Sequence, residues 1–387
     1  MPTVASYCTV FLKPEMLHIY RQVCGTKKYR NLVVTKTRQH TEMFPYEFVL
    51  ILPLPKVNLF KRFYSKYFNG SNSFIYRGEF GVLQQVLGSI HPDVIHVYFG
   101  HTGVHLLTFL KATVLPCVVS FHGADVMPRK DRPGYIEKLS ELLQVIPIVL
   151  ARSESLATRL KKLGCPGEKI RINRTGIPLD YFSLVDRSSR NHTPVRFIQA
   201  CRLIEKKGLG TTIAAFAIAR KRLPGSQLVI AGDGPLRAEL AQLVAQLGMA
   251  PYVQFVGFLN QETLREWYIN SDIFVHPSEM TAASDQEGIP NSLLEAMATG
   301  LPVLSTLHGG IPEAVVDGVS GWLVPEKDVV GLAEKMIRLG LDSAERQRMG
   351  LAAEDSVRKN FEQSMQIAKL ESYYDEAIQL TAVRDRK

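Results

Sequence analysis

The sequence lacks any close pair of cysteines. Its five, Cys8, Cys24, Cys117, Cys165 and Cys201, stand singly along 387 residues, and no two form a C-x-x-C. That spacing offers neither a zinc site nor a disulfide framework, so a reducing compartment is the simplest expectation. No run approaches the roughly 18–20 consecutive apolar residues that a membrane span needs. A secretory leader is not expected either: the apolar stretch over 4–12 has no basic flank and no small-residue cleavage site, and reads as a buried first strand. There is no repeat of solenoid length, no low-complexity tract and no Asp-x-Asp in a metal-binding context. Together these absences predict a cytoplasmic protein, with at most a peripheral attachment to the inner face of a membrane.

What is present is ordinary globular composition, 46% hydrophobic and 21% charged, in a chain long enough for two domains with separate cores. The net charge of +9 is uneven. Residues 1–190 carry 26 Lys/Arg against 13 Asp/Glu, whereas 191–387 carry 20 against 24. A basic first half implies an anionic partner: a membrane surface, a phosphorylated lipid or a nucleic acid. No nucleic acid is expected, because no RNA- or DNA-binding motif accompanies the charge, which is spread through a folded domain. The segment over 57–69, VNLFKRFYSKYFN, would as a helix gather Phe60, Phe63, Tyr64, Tyr67 and Phe68 on one face and Lys61, Arg62 and Lys66 on the other. Such a helix suits an anionic membrane surface, and equally suits a domain helix with its aromatic face in the core.

Both halves alternate short apolar runs with helical stretches. In the second half strands are predicted over 195–203, 227–231, 253–259 and 272–276, with helices over 209–222, 235–247 and 261–270 between them. In the first half the strands over 94–97, 117–121 and 148–151 and the helices over 103–111 and 154–163 are of the same kind. This order predicts parallel sheets covered by helices on both faces. The expected fold class is α/β, with two doubly wound Rossmann-like domains facing across a cleft. Their expected extents are 1–185 and 195–360, joined by the polar stretch over 186–194. The tail over 343–382 reads as amphipathic helix, and 361–387 is expected to pack back on the first domain.

The most informative string is EGIPNSLLEAMATGLPV over 287–303. Glu287 sits beside a glycine, where backbone can approach a ligand closely. Asn291 or Ser292 would cap a helix ending near Gly300, whose first N–H groups can hold a diphosphate. Glu295, one turn inside, would face the same pocket rim and accept hydrogen bonds from ribose hydroxyls. Two glutamates seven residues apart mean little alone, since a mid-helix Glu is usually solvated. The whole string, however, resembles the Glu-x7-Glu motif of glycosyltransferase family four, which has the GT-B fold. Leu307–Glu313 (LHGGIPE) and Gly318–Pro325 (GVSGWLVP) look like that family too, and the likeness covers nearly the whole second half.

The resemblance implies a retaining glycosyltransferase that moves a sugar from a nucleotide-diphosphate donor to a glycan or lipid-linked acceptor. It also implies roles for residues. Arg202 and Lys207, in Cys201–Gly208 (CRLIEKKG), match the pair that grips the donor diphosphate, where fixed cations offset the charge growing on the leaving group. His122, in SFHGAD over 120–125, matches the histidine that contacts the transferred sugar, and HVYFGH over 96–101 looks like a lining element. Glu287 is then the acid on the sugar, with Gly288, Ile289, Pro290, Asn291, Ser292, Glu295 and Leu259 as donor contacts. No cofactor and no metal are implied, the nucleotide sugar being a substrate, with a UDP-sugar expected ahead of a GDP-sugar. The start departs from the family pattern: 10–16 (VFLKPEM) has no glycine where many relatives carry a Gly-rich loop. The loop over 280–286 is similar to the branch that builds bacterial exopolysaccharides, colanic-acid-type enzymes among them. A nucleotide-sugar epimerase of the same fold would not be expected to carry the Arg202, Lys207, Glu287 and Glu295 set. A non-catalytic basic binding protein is the remaining alternative.

Overall fold

The computed structural model describes residues 1–53, 79–127, 134–187, 194–281 and 286–384. The aromatic and basic segment over 57–69 lies outside the described residues, as do 188–193 of the polar stretch and 282–285 of the loop before Glu287. The chain forms two compact units, one made of Met1–Gly176 with Ser364–Lys387 and the other of Ile177–Gln363. The division falls ahead of the polar stretch because Ile177 and Phe182 are fully buried in the second unit's core beside Ile198, Phe274 and Phe361. Backbone bonds fasten this point, from Ile177 N–H to the Phe361 carbonyl (2.7 Å) and from Gln363 N–H to the Ile177 carbonyl (3.0 Å).

In the first unit the strands are β1 (Thr3–Phe11), β2 (Arg30–Arg38), β3 (Val49–Ile51), β4 (Val94–Tyr98), β5 (Cys117–Phe121), β6 (Ile148–Ala151) and β7 (Ile170–Ile172). They form one parallel sheet in the order β3-β2-β1-β4-β5-β6-β7. Every residue of β4, β5 and β6 is buried, as a sheet covered on both faces requires. Alternation along β5 sends Val119 and Phe121 to a core with Leu139 and Leu142, and Val118 to the other face. On that other face lies the last helix, Gln363–Arg384, which contributes Leu370, Tyr374 and Ala377.

The second unit repeats the plan with β8 (Arg196–Ala200), β9 (Gln227–Ala231), β10 (Val253–Gly257), β11 (Ile273–His276), β12 (Val303–Thr306) and β13 (Gly321–Val324). Their order is β10-β9-β8-β11-β12-β13, again all parallel. Phe197 of β8 packs into one core and Ile198 into the other. In each sheet the winding reverses beside the first strand, at β1/β4 and at β8/β11, and the carboxyl ends of strands at such a point are where open α/β sheets bind ligands. The tail is two helices, Ser343–Asn360 and Gln363–Arg384. Burial of Phe361, whose carbonyl is taken by Ile177, interrupts the helix there.

Candidate active site

The reversal at β8/β11 gathers the predicted residues of the second unit. Leaving β8, the chain makes a short 3-10 turn, Glu205–Lys207, and enters the helix Leu209–Ala219 through Gly208 at φ 61°. Only glycine fits, since a Cβ would stand 1.8 Å from the Pro277 carbonyl oxygen. Gln199, on β8, donates its side-chain N–H to the Lys207 carbonyl (2.7 Å), and Glu279 N–H donates to the Lys206 carbonyl (3.0 Å). Lys207, so fixed, forms an ion pair with Glu287, 80 residues away. Both side chains are little exposed, at 13% and 14%. Burial pushes the Glu287 carboxyl up, but Lys207 and Lys206 outweigh it and hold it at about 2. Glu287 is therefore ionised at any physiological pH and Lys207 has its counter-ion beside it.

Behind Glu287 the helix Asn291–Ala298 begins without any side-chain cap. Its N-cap is Pro290, which corrects the expectation of an Asn291 or Ser292 cap. Ser292 is committed elsewhere, its Oγ donating to the carbonyl of Ala200 (2.7 Å) and tying the helix start to the end of β8. Among the described residues the first-turn amides thus have no side-chain acceptor, and an uncapped helix start is suited to a phosphate. Gly288 accepts a backbone bond from Gly310 (3.2 Å), Ile289 packs against the core and Pro290 is buried. Glu295, in the same helix, is 6% exposed. Leu259 is half-buried against the same core, and Arg202 is exposed, with no ion pair among the described residues. Ten of the eleven predicted residues belong to this unit, and no three His, Cys, Asp or Glu side chains are grouped to hold a metal among the described residues.

His122 belongs to the first unit, just past β5. Its Nδ1 lies 2.9 Å from Arg152 Nη1 and 3.2 Å from His18 Nε2, and its Nε2 lies 3.1 Å from Ser120 Oγ. A guanidinium only donates, so Nδ1 is the acceptor and the proton sits on Nε2, directed at Ser120. Burial first, then the neighbouring Arg152 and His18, hold its pKa well below the usual histidine value, so the ring is neutral. Asp125 shapes the loop: its carboxylate accepts N–H bonds from Gly100 (2.8 Å), His122 (3.0 Å) and Gly123 (2.9 Å). Phe99, at φ 75° in a region unfavourable to side chains, lays its ring 4.4 Å from that of His122. Sequence reasoning passed over Arg152 and His18. The one available sign was an arginine directly after the apolar strand at 148–151.

Comparison with known proteins bears on the family and the fold. Residues 32–181 match the model for Glycosyltransferase Family 4, and residues 183–356 the model for Glycosyl transferases group 1. The chain is 37% identical over 280 residues to the amylovoran biosynthesis glycosyltransferase AmsK of Erwinia amylovora, covering 72% of this chain and 69% of that one. It is 34% identical over 284 residues to the colanic acid biosynthesis glycosyltransferase WcaL of Escherichia coli (strain K12), covering 73% and 70%. Among solved structures, Anabaena Alr3699/HepE in complex with UDP aligns with a TM-score of 0.76 at 17% identity, over 97% of this chain and all of that one, a likeness of fold. Two parallel-sheet Rossmann-like units, the paired Lys207 and Glu287 and these relatives lead to one assignment: the chain belongs to glycosyltransferase family four and has the GT-B fold.

Proposed function

We propose that this glycosyltransferase takes a sugar from a nucleotide-diphosphate donor, a UDP-sugar ahead of a GDP-sugar. It delivers the sugar to a glycan or lipid-linked acceptor with retention of anomeric configuration. The observation that carries the reading is the Lys207–Glu287 pair beside the uncapped start of Asn291–Ala298. A cation beside helix-start amides suits a diphosphate, and an ionised carboxylate suits sugar hydroxyls. The acceptor hydroxyl oxygen bonds to the anomeric carbon as the bond from that carbon to the phosphate oxygen breaks. The departing phosphate takes the hydroxyl proton on the same face, while Lys207, Arg202 and the helix amides stabilise its charge. Glu295 serves the ribose, and His122 the transferred sugar by family likeness. The names of the relatives, concerned with amylovoran and colanic acid, support a place in exopolysaccharide or lipopolysaccharide synthesis.

Lys207 and Arg202 together meet the need that a divalent metal meets in other transferases, so turnover is expected to survive chelation. The donor is found by thermal shift across a panel of nucleotide sugars, where a ligand at about 100 times its dissociation constant adds about 2.7 kcal/mol. Donor turnover is then measured for wild type, Arg202→Ala and Lys207→Ala, with and without chelator. Each variant is expected to lose about a hundredfold or more in turnover, by analogy with loss of one oxyanion donor. Wild-type activity abolished by chelator and restored by magnesium or manganese would overturn the metal-free reading.

A further inference from the structure

The loop that carries Glu287 is held by a side chain that the proposed reaction gives no direct role. His308, just past β12, is 1% exposed. Its Nε2 lies 2.9 Å from the backbone nitrogen of Glu287, and its Nδ1 lies 2.6 Å from Glu326 Oε1. A backbone N–H only donates, so Nε2 accepts, the proton sits on Nδ1, and Nδ1–H donates to Glu326. The other oxygen of Glu326, Oε2, accepts the backbone N–H of Met280 (2.7 Å). One carboxylate–imidazole pair therefore binds the backbone at Met280 and at Glu287, the two ends of the segment between them.

Independent contacts set the same two loops against each other. Gly310 N–H donates to the Gly288 carbonyl (3.2 Å), and a Cβ on Gly309 would stand 2.0 Å from the Glu287 carbonyl oxygen. Glu326 is ionised: burial raises its carboxyl, while the Met280 amide and His308 more than offset this. A charged acceptor on one ring nitrogen fixes the tautomer and strengthens the other nitrogen as an acceptor, as carboxylates do behind metal-bound histidines.

We propose that His308, oriented by Glu326, is a positioning residue that fixes the Glu287 backbone and so keeps the Glu287 carboxylate on Lys207. The inference rests on the role given to Glu287 above. It requires an acceptor at the place of Nε2, not merely a side chain that fills the space. Glutamine can put its Oε1 near that place, whereas the shorter asparagine side chain of His308→Asn reaches only the position of Nδ1.

The test compares wild type, His308→Asn, His308→Gln and Glu287→Gln by donor kcat and KM, and by amide hydrogen exchange of the peptide covering 286–290. His308→Asn is expected to lower kcat roughly tenfold or more, the effect of one buried donor losing its acceptor, with a smaller change in donor KM and with faster exchange over 286–290. His308→Gln should recover most of both. Faster exchange with unchanged kcat in His308→Asn would overturn the positioning role. Equal loss of kcat in both variants with wild-type exchange would overturn the bond as its cause. Full turnover by Glu287→Gln would instead remove the role of Glu287, and the exchange result would then decide the backbone clamp by itself.

Discussion

At the scale of single residues, the Lys207–Glu287 pair governs both charge and stability. Removing Lys207 alone leaves a largely buried carboxylate without its cation, so Lys207→Met is expected to cost about 3–5 kcal/mol, while Lys207→Met with Glu287→Leu should recover part of it. Denaturant unfolding of wild type, Lys207→Met, Glu287→Leu and the double variant checks this. The pH dependence follows from the depressed carboxyl of Glu287. A group at about 2 in the folded chain and 4.5 ordinarily contributes stability that is complete above pH 4.5 and fades as pH falls towards 2. The stability gap between wild type and Glu287→Gln should accordingly be constant from pH 7 to 5 and narrow between pH 4.5 and 2. A gap independent of pH over that range would show that the carboxylate is not held by the cation. Lys207 and Glu287 were legible in the sequence as members of two separate motifs. Their pairing was not, because nothing in 80 residues of intervening chain says that β8 and the loop after β11 end side by side.

At the scale of elements, the sequence announced several strands, missed β2 and β13, joined the helices Gly100–His105 and Leu107–Ala112 into one, and misread the cap of Asn291–Ala298. Buried parallel strands read as continuous apolar runs, which is why β5, β6 and β9 fall where expected. The short β3 and β7, at the two edges of the first sheet, have only three residues each and give no such signal. Ser292 looked like a cap because serine before an apolar run usually is one. Here the Ala200 carbonyl, supplied by a strand far off in sequence, competes for its hydroxyl and wins. The turn between β8 and its helix makes a sharper prediction. Gly208→Ala must place a methyl against the Pro277 carbonyl and hold a non-glycine residue at φ 61°, so it should cost at least about 2 kcal/mol. Gly210, with nothing within 4 Å of its Cβ position, is the control, and Gly210→Ala should leave the unfolding midpoint unchanged or raise it. Equal midpoints for the two variants would show that the turn has room to relax.

At the scale of the whole molecule, two features of chain organisation have measurable consequences. Positive charge is concentrated in the first half, and on the first unit Met43, Phe48 and Ile51 are exposed, Ile51 on the edge strand β3, with Arg30 4.9 Å from the Phe48 ring. We expect binding to anionic vesicles at low salt that is lost as salt rises, because such attraction is screened over about 10 Å at 0.1 M. Replacing Lys61, Arg62 and Lys66 by Ser should weaken it, and equal recovery with neutral vesicles would exclude an electrostatic contact. The second feature is that the chain ends in the unit where it began. The last helix seals one face of the first sheet with Leu370 and Tyr374, each fully buried and contributing about 1.5–3 kcal/mol by burial. Glu371 accepts the amides of Lys27 (2.7 Å), Lys28 (2.6 Å) and Tyr29 (3.2 Å), and the Tyr374 hydroxyl lies 2.7 Å from Nδ1 of the buried His96. Against a domain stability of about 5–15 kcal/mol, losing all of this should unfold the first unit. Deleting 364–387 is therefore expected to make residues 1–176 sensitive to protease while 177–363 stays resistant. Tyr374→Phe, which keeps the ring and strips one partner from His96, should cost only about 1–3 kcal/mol and leave the protease pattern as in wild type. A deleted chain whose first half resisted protease would show that the sheet is closed without its returning helix.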